Sequence, residues 1–209
     1  MKGTDKMNVD MSKALAIVDK LIGAGLVDDI FNIEKSFYVS DWFLDHEYLG
    51  LNCTVHSGAS KGVLVFEDTD WVIKFDYYSD SCSYCEVEAE NYKSAVSEGL
   101  AHYFAETIMI KKVGNVAFTV QEKCECDEDA IHDKLYDSLK RRYADQGEEK
   151  SNDDLWDEVD VICEEGCCHE MFEDAELNAF VRRYYINDLH QANFGRINGR
   201  YVMIDYSGF

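Results

Sequence analysis

The stretch that decides the fold is residues 188–208, which read DLHQANFGRINGRYVMIDYSG. Two short β-like runs flank the dipeptide Asn198-Gly199, which is favoured in two-residue type I′ turns. The pattern predicts a β-hairpin. Asn193 precedes its first strand and Asp205 follows its second strand. We therefore expect these two side chains to lie close together at the open end of the hairpin.

This segment resembles the D-L-H-x-x-N and I-D-Y patterns of aminoglycoside-phosphotransferase-like kinases and small bacteriophage-encoded protein kinases. Both belong to the broad protein-kinase-like superfamily. In kinases one Asp accepts the proton of the attacking hydroxyl, while an Asn five residues on and a second Asp hold the magnesium ions that bridge the nucleotide phosphates. The resemblance implies that Asp188 is the catalytic base and that Asn193 and Asp205 bind Mg2+. The alternative is an ordinary buried hairpin with a capping Asp.

The resemblance also implies a phosphate-covering loop, a strand lysine and a helix glutamate earlier in the chain. Residues 55–66 have the pattern of a strand, a glycine-containing turn and a second strand. Backbone N–H groups in such a turn can approach phosphate oxygens closely. We expect a cofactor-binding loop that includes Gly58, Ser60, Lys61 and Gly62. The loop departs from the G-x-G-x-x-G pattern, and a plain β-hairpin with a glycine turn is the alternative.

A lysine lies inside the apolar strand that follows, at Lys74 in Trp-Val-Ile-Lys-Phe. A lysine is costly to bury unless it is paired. The V-I-K pattern follows the glycine turn at the distance that the kinase family uses, so the resemblance implies that Lys74 contacts the α- and β-phosphates of ATP. The alternative is an edge lysine whose stem lies on the sheet.

Three glutamates in the next helix compete to pair with Lys74. A side chain four residues on lies over the same helix face, so the inward-pointing glutamate should share its face with an apolar residue. Glu88 is followed at this spacing by Tyr92, whereas Glu86 is followed by Glu90. We predict that Glu88 pairs with Lys74 and completes the catalytic set, with Glu90 as the second choice.

The rest of the chain predicts an α+β fold in three parts, a minimal protein-kinase-like architecture. These parts are an N-terminal helical extension over residues 1–50, a kinase-like N-lobe over residues 51–123 and a truncated kinase-like C-lobe over residues 124–209. The N-lobe is predicted to hold a five-stranded antiparallel sheet and one principal helix. C-lobe helices are predicted over residues 129–144, 153–164 and 172–185. In the family, adenine contacts the linker between the lobes, which implies Glu122 and Cys124 as cofactor-binding residues.

The composition constrains the partners. The formal net charge of −22 argues against binding to DNA or RNA, because that affinity rests on Lys and Arg neutralising phosphates. An anionic nucleotide would need local positive groups, Lys74 and Lys61, together with magnesium. An acidic surface instead favours basic protein partners or basic peptide substrates.

The expected location is cytoplasmic, without a membrane partner. No apolar run approaches the roughly 20 residues needed to span a bilayer, and no hydrophobic signal region follows the N-terminus. In a reducing cytosol the eight cysteines are expected to be free thiols. A Cys3His zinc site, made from the C-x-x-C that begins at Cys82 and the C-C-H that ends at His169, is the alternative.

Together these patterns predict an enzyme that uses ATP and Mg2+ to phosphorylate a hydroxyl of a protein Ser or Thr or of a small molecule. The last residue, Phe209, comes four residues after Asp205, so we expect the activation segment of an ordinary protein kinase to be missing. A catalytically inactive kinase-like module that binds a nucleotide or a protein is the alternative.

Overall fold

The computed structural model describes residues 7, 9–32, 37–77 and 83–208. Over these residues the protein has an α+β fold with seven α-helices, a five-stranded antiparallel sheet and a two-stranded hairpin. The chain divides into two compact units, here called the first unit (residues 1–93 and 106–123) and the second unit (residues 94–105 and 124–209).

The first unit is built on the five-stranded sheet, whose strand order is β1-β2-β3-β5-β4. Its strands are β1 (Cys53–Ser57), β2 (Lys61–Phe66), β3 (Trp71–Asp76), β4 (Thr107–Val113) and β5 (Val116–Glu122). Its helices are α1 (Met11–Gly23), α2 (Leu26–Ile30), α3 (Val39–Asp45) and most of α4 (Tyr84–Ser97). The predicted five-stranded antiparallel sheet is confirmed, and α4 follows β3 as the sequence indicated.

The central strand β3 is buried along its whole length. Successive side chains of a strand point to opposite faces, so a central strand covered on both sides contains few solvent-facing positions. Ile73 and Phe75 join the apolar core, which also contains Leu21 of α1 and Phe43 of α3. Helices from the predicted N-terminal extension therefore contribute to the core of the sheet. Lys74 alternates with Ile73 and Phe75 and so points to the other face.

The second unit is mainly helical and contains the predicted hairpin. Its elements are α5 (Glu128–Gln146), α6 (Asn152–Glu164), α7 (Ala175–Arg183), β6 (Phe194–Ile197) and β7 (Arg200–Met203). Asn198 and Gly199 have φ angles of 51° and 77°, and two positive φ values are what a type I′ turn requires. The hairpin prediction is confirmed, with Phe194 paired to Met203 at its open end.

Helix α7 is shorter than the predicted helix over residues 172–185. Glu173 has a left-handed φ of 54°, which ends the preceding 3-10 helix Cys168–Phe172. The Asp174 carboxylate then accepts hydrogen bonds from the N–H groups of Glu176 and Leu177 and caps α7. At the other end Tyr185 also has a φ of 54°, so the chain leaves the helix before it reaches Asp188.

None of the helices in the described ranges is both long and apolar enough to cross a lipid bilayer.

Candidate functional site

The predicted ion pair between Lys74 and Glu88 is present in the first unit. The Lys74 Nζ lies 2.9 Å from Glu88 Oε2 and 3.2 Å from Oε1. Lys74 is 5% exposed and Glu88 is fully buried. Glu90 instead forms an exposed ion pair with Lys93. The helix-face argument therefore identified the glutamate that pairs with Lys74. Because both side chains are buried, the ion pair is part of the interior of the first unit.

Asp76 positions helix α4 so that Glu88 reaches Lys74. Its carboxylate is fully buried and accepts hydrogen bonds from the Ser83 hydroxyl at 2.6 Å, the Cys85 N–H at 2.9 Å and the Ala117 N–H at 2.9 Å. Ser83 in turn accepts from the Glu86 N–H at 3.1 Å. These bonds tie the first turn of α4 to the end of β3 and to β5. Sequence analysis missed Asp76, although its position two residues after Lys74 places it on the same face of β3.

Lys61, which we expected in a loop that covers phosphates, is the first residue of β2 and is only 4% exposed. Its Nζ lies 2.6 Å from Glu88 Oε1, so Lys61 and Lys74 share one buried carboxylate. An experiment on Lys61 must therefore distinguish direct contact with phosphate from an effect that Lys61 exerts through Glu88.

Cys85 lies among these charged side chains and is itself fully buried. Burial raises the pKa of its thiol well above the ordinary value, and the Asp76 and Glu88 carboxylates raise it further against the opposing effect of the two lysines. The thiol therefore stays protonated and acts as a small apolar side chain.

The glycine turn between β1 and β2 is held by one hydrogen bond of its own backbone and by two from Tyr77. The Gly58 N–H donates to the Lys61 carbonyl at 3.0 Å, while the Tyr77 N–H donates to the Ser60 carbonyl at 3.1 Å and the Tyr77 hydroxyl donates to the Gly58 carbonyl. The N–H of Gly58 is therefore already used within the turn. Phosphate contacts by Gly58 and Ser60 stay a prediction.

Gly62 has a packing reason to be glycine. It pairs with Phe75 across β2 and β3, and a Cβ at this position would overlap the Phe75 ring. Phe75 is fully buried in the sheet core, so its ring cannot move aside without disturbing neighbours. This packing accounts for Gly62 without a phosphate.

Glu122 and Cys124, the predicted adenine contacts, belong to different units, because the division of the chain falls after residue 123. Within the first unit, the Glu122 N–H donates to the Glu106 carbonyl at 2.9 Å and the Glu122 carboxylate accepts from the Glu106 N–H at 3.3 Å. Within the second unit, Cys124 packs so tightly on Gly195 that a Cβ there would overlap the Cys124 Sγ. A role for Glu122 and Cys124 in binding adenine stays a prediction.

In the second unit, Asp188 and Asn193 are joined directly. The Asn193 side-chain N–H donates to the Asp188 backbone carbonyl at 2.5 Å, and Asn193 is buried. This bond closes the five-residue spacing of the D-x-x-x-x-N motif and uses the amide nitrogen. The Asp188 side chain is 54% exposed, and the His190 Nε2 lies 3.8 Å from its Oδ1.

Backbone hydrogen bonds and close packing hold the residues next to Asp188 in place. Leu189 is fully buried, its N–H donates to the Gly166 carbonyl at 3.0 Å, and its carbonyl accepts from the Cys168 N–H at 2.9 Å. Gly166 has a φ of +69°, and a Cβ there would lie 2.6 Å from the Asn187 carbonyl oxygen. The exposed carboxylate of Asp188 is thus carried by a tightly packed segment.

Asp205 lies beside Asn193, as the hairpin predicted. The Asn193 carbonyl accepts from the Ile204 N–H at 2.8 Å and from the Asp205 N–H at 3.5 Å. The next residue, Tyr206, is 1% exposed and its hydroxyl donates to the Ala105 carbonyl at 2.8 Å. The buried Tyr206 therefore anchors the chain immediately after Asp205.

Asn193 and Asp205 suit a metal ion that takes few protein ligands and also binds water or phosphate. Among the described residues, His, Cys, Asp and Glu form no cluster of three that could hold a metal ion. A magnesium ion commonly takes only one or two protein carboxylates and fills its octahedron with waters and phosphates. The Asp205 carboxylate and the Asn193 side-chain oxygen are ligands of that kind. Cys82, part of the alternative zinc prediction, lies outside the described residues.

Comparisons of the chain with protein-family models, with curated proteins and with solved structures gave no match.

Proposed function

We propose that this protein binds ATP with Mg2+ and transfers its terminal phosphoryl group to a hydroxyl of a protein or a small molecule. The observation that carries the proposal is the buried pair between Lys74 and Glu88. A strand lysine paired to a helix glutamate is the arrangement that protein kinases use to hold the α- and β-phosphates. The fold that we propose is correspondingly a minimal protein-kinase-like one.

In the first unit, Glu88 orients the Lys74 ammonium toward the phosphates. Holding an ammonium in a fixed, water-poor place strengthens its interaction with negative charge and avoids reorganisation during the reaction. The hydrogen bonds that the Asp76 carboxylate accepts from Ser83 and Cys85 support this role. They fix the position of α4, and with it Glu88, relative to β3.

In the second unit, Asp188 receives or orients the proton of the acceptor hydroxyl. Its exposed carboxylate suits this role, because a mainly positional and electrostatic mechanism needs an ionised acceptor near the nucleophile. Asn193 and Asp205 would hold Mg2+, which neutralises charge on the phosphates. The bond from Asn193 to the Asp188 carbonyl keeps the base and the metal ligand at a fixed spacing.

The acceptor is a hydroxyl compound, and the acidic composition favours a basic one. With a formal net charge of −22, the protein attracts cationic peptides over a distance of about a Debye length.

The test is incubation with magnesium and γ-labelled ATP, followed by intact-mass analysis of the protein and labelling of a cell lysate. Wild type should transfer label and Asp188→Asn should not. Equilibrium binding of magnesium with a non-hydrolysable ATP analogue is measured in parallel. Binding without transfer would instead support the non-catalytic module, and the absence of both would overturn the proposal.

A further inference from the structure

Two lysines on neighbouring strands meet at the same carboxylate. The Lys61 Nζ lies 2.6 Å from Glu88 Oε1, and the Lys74 Nζ lies 2.9 Å from Glu88 Oε2. In the register of β2 and β3, Val63 pairs with Lys74 and Lys61 pairs with Asp76. Lys61 is thus two residues from the cross-strand partner of Lys74, and both lysines project from one face of the sheet.

The sharing of Glu88 by two lysines matters because the Glu88 carboxylate is buried. An ionised carboxylate in a water-free interior is strongly destabilised when it loses its only partner. If Lys74 alone held Glu88, a turn of the Lys74 ammonium toward phosphate would weaken the pairing of a fully buried charge. Because Lys61 contacts the other carboxylate oxygen, Glu88 keeps a cationic partner throughout such a movement.

We infer that Lys61 is a positioning residue, which holds Glu88 in the interior while Lys74 turns to the phosphates of the nucleotide. The inference rests on the proposed function, and it replaces the expectation that Lys61 contacts phosphate itself. Without Lys61, Glu88 competes more strongly with phosphate for the Lys74 ammonium. Nucleotide affinity should therefore fall even though Lys61 does not contact the nucleotide.

A double-mutant cycle separates the two roles of Lys61. The dissociation constant of the magnesium complex of a non-hydrolysable ATP analogue is measured by calorimetry for wild type, Lys61→Met, Glu88→Gln and the double variant. We expect Lys61→Met to weaken binding about tenfold in the wild-type background and to have little further effect when Glu88 is already Gln. Lys61→Arg, which keeps the charge, should restore most of the affinity.

Equal weakening by Lys61→Met in both backgrounds would overturn the inference, because it would mean that Lys61 contacts phosphate directly. No weakening in either background would overturn it as well and would leave Lys61 a structural residue. Far-ultraviolet circular dichroism of each variant checks that the fold is retained. Failure of wild type to bind the analogue would overturn the proposed function, and this inference with it, so the first titration distinguishes the two failures.

Discussion

The charged residues of the candidate site in the first unit and Asp188 in the second unit differ sharply in their exposure to water. In the first unit Lys61, Lys74 and Glu88 are at most 5% exposed, whereas in the second unit the Asp188 side chain is 54% exposed. A buried charge is tolerated only with its partners in place, so the first set is fixed by the fold and contributes to it. An exposed carboxylate costs the fold little and remains accessible to a ligand. Substitutions in the first set should therefore lower stability, whereas a substitution at Asp188 should leave stability nearly unchanged.

The largest effect is expected for Glu88→Ala. This change leaves two buried ammonium groups without their shared carboxylate, and we expect the free energy of unfolding to fall by about 3 to 5 kcal/mol. The matched control is Glu90→Ala, two residues along the same helix, whose exposed ion pair should contribute less than about 1 kcal/mol. Urea unfolding of both variants measures the difference. Equal losses would contradict the contrast between buried and exposed charges.

The second prediction concerns Asp205→Ala in the more exposed set. If Asp205 is the magnesium ligand that we propose, its loss should lower kcat by about a hundredfold to a thousandfold, while the free energy of unfolding changes by less than about 1 kcal/mol. Asp160→Ala, on the exposed face of α6, is the control for a lost carboxylate elsewhere in the unit. Turnover at the wild-type level in Asp205→Ala would rule out the metal role.

The third prediction separates packing from phosphate binding at the glycines in and before β2. Gly62→Ala should destabilise the protein by about 1 to 3 kcal/mol, because the new Cβ overlaps the buried Phe75 ring. Gly58→Ala is the control, since the nearest atom to its added Cβ is the Lys61 carbonyl oxygen at 4.0 Å. Thermal or urea unfolding compares them. A harmless Gly62→Ala would show that the sheet is less tightly packed than the structure indicates.

The smallest effect is expected at the base of α7, where the Tyr103 hydroxyl donates to the Asp174 carboxylate at 2.6 Å. Tyr103→Phe should lower stability by about 1 kcal/mol near neutral pH. Burial, followed by the nearby Asp174 carboxylate, raises the pKa of Tyr103 from 10.0 to about 12. The stabilisation is therefore complete below pH 10 and is lost as the pH rises toward 12.

Unfolding by urea at about pH 8 and about pH 11 tests this sign. The stability difference between wild type and Tyr103→Phe should shrink or reverse at the higher pH. Other tyrosines titrate in both proteins and cancel in the difference. A gap that widens with pH would show that the hydroxyl does not donate to Asp174.

The sequence contained enough information for the features that depend on local periodicity. The choice of Glu88 over Glu90 needed only the helical repeat and the apolar Tyr92 one turn later. The hairpin needed only Asn198-Gly199 between two short runs. In both cases the relevant contacts lie within a few residues or across one tight turn, where backbone geometry leaves few alternatives.

The features that were missed depend on pairing between distant segments. Lys61 was expected at phosphate because the resemblance implies a phosphate-covering loop at this place, and only the pairing of β2 with β3 and the contact with Glu88 show where its side chain lies. The start of α7 was placed too early because the apolar pattern continues through Phe172. The capping carboxylate of Asp174 was the local signal that could have corrected it.

The type I′ turn of the hairpin also makes it a place to attach a probe. Asn198 and Gly199 are exposed, and a Cβ on Gly199 would have no neighbouring atom within 4 Å. Asn193 and Asp205 lie at the opposite end, beyond four paired positions in each strand. Exposed loop tips tolerate insertions well, whereas a residue inserted within a strand would reverse the facing of every side chain beyond it. A short tag or a fluorescent label can therefore be introduced at the tip to follow this protein without changing the spacing between the two side chains at the open end.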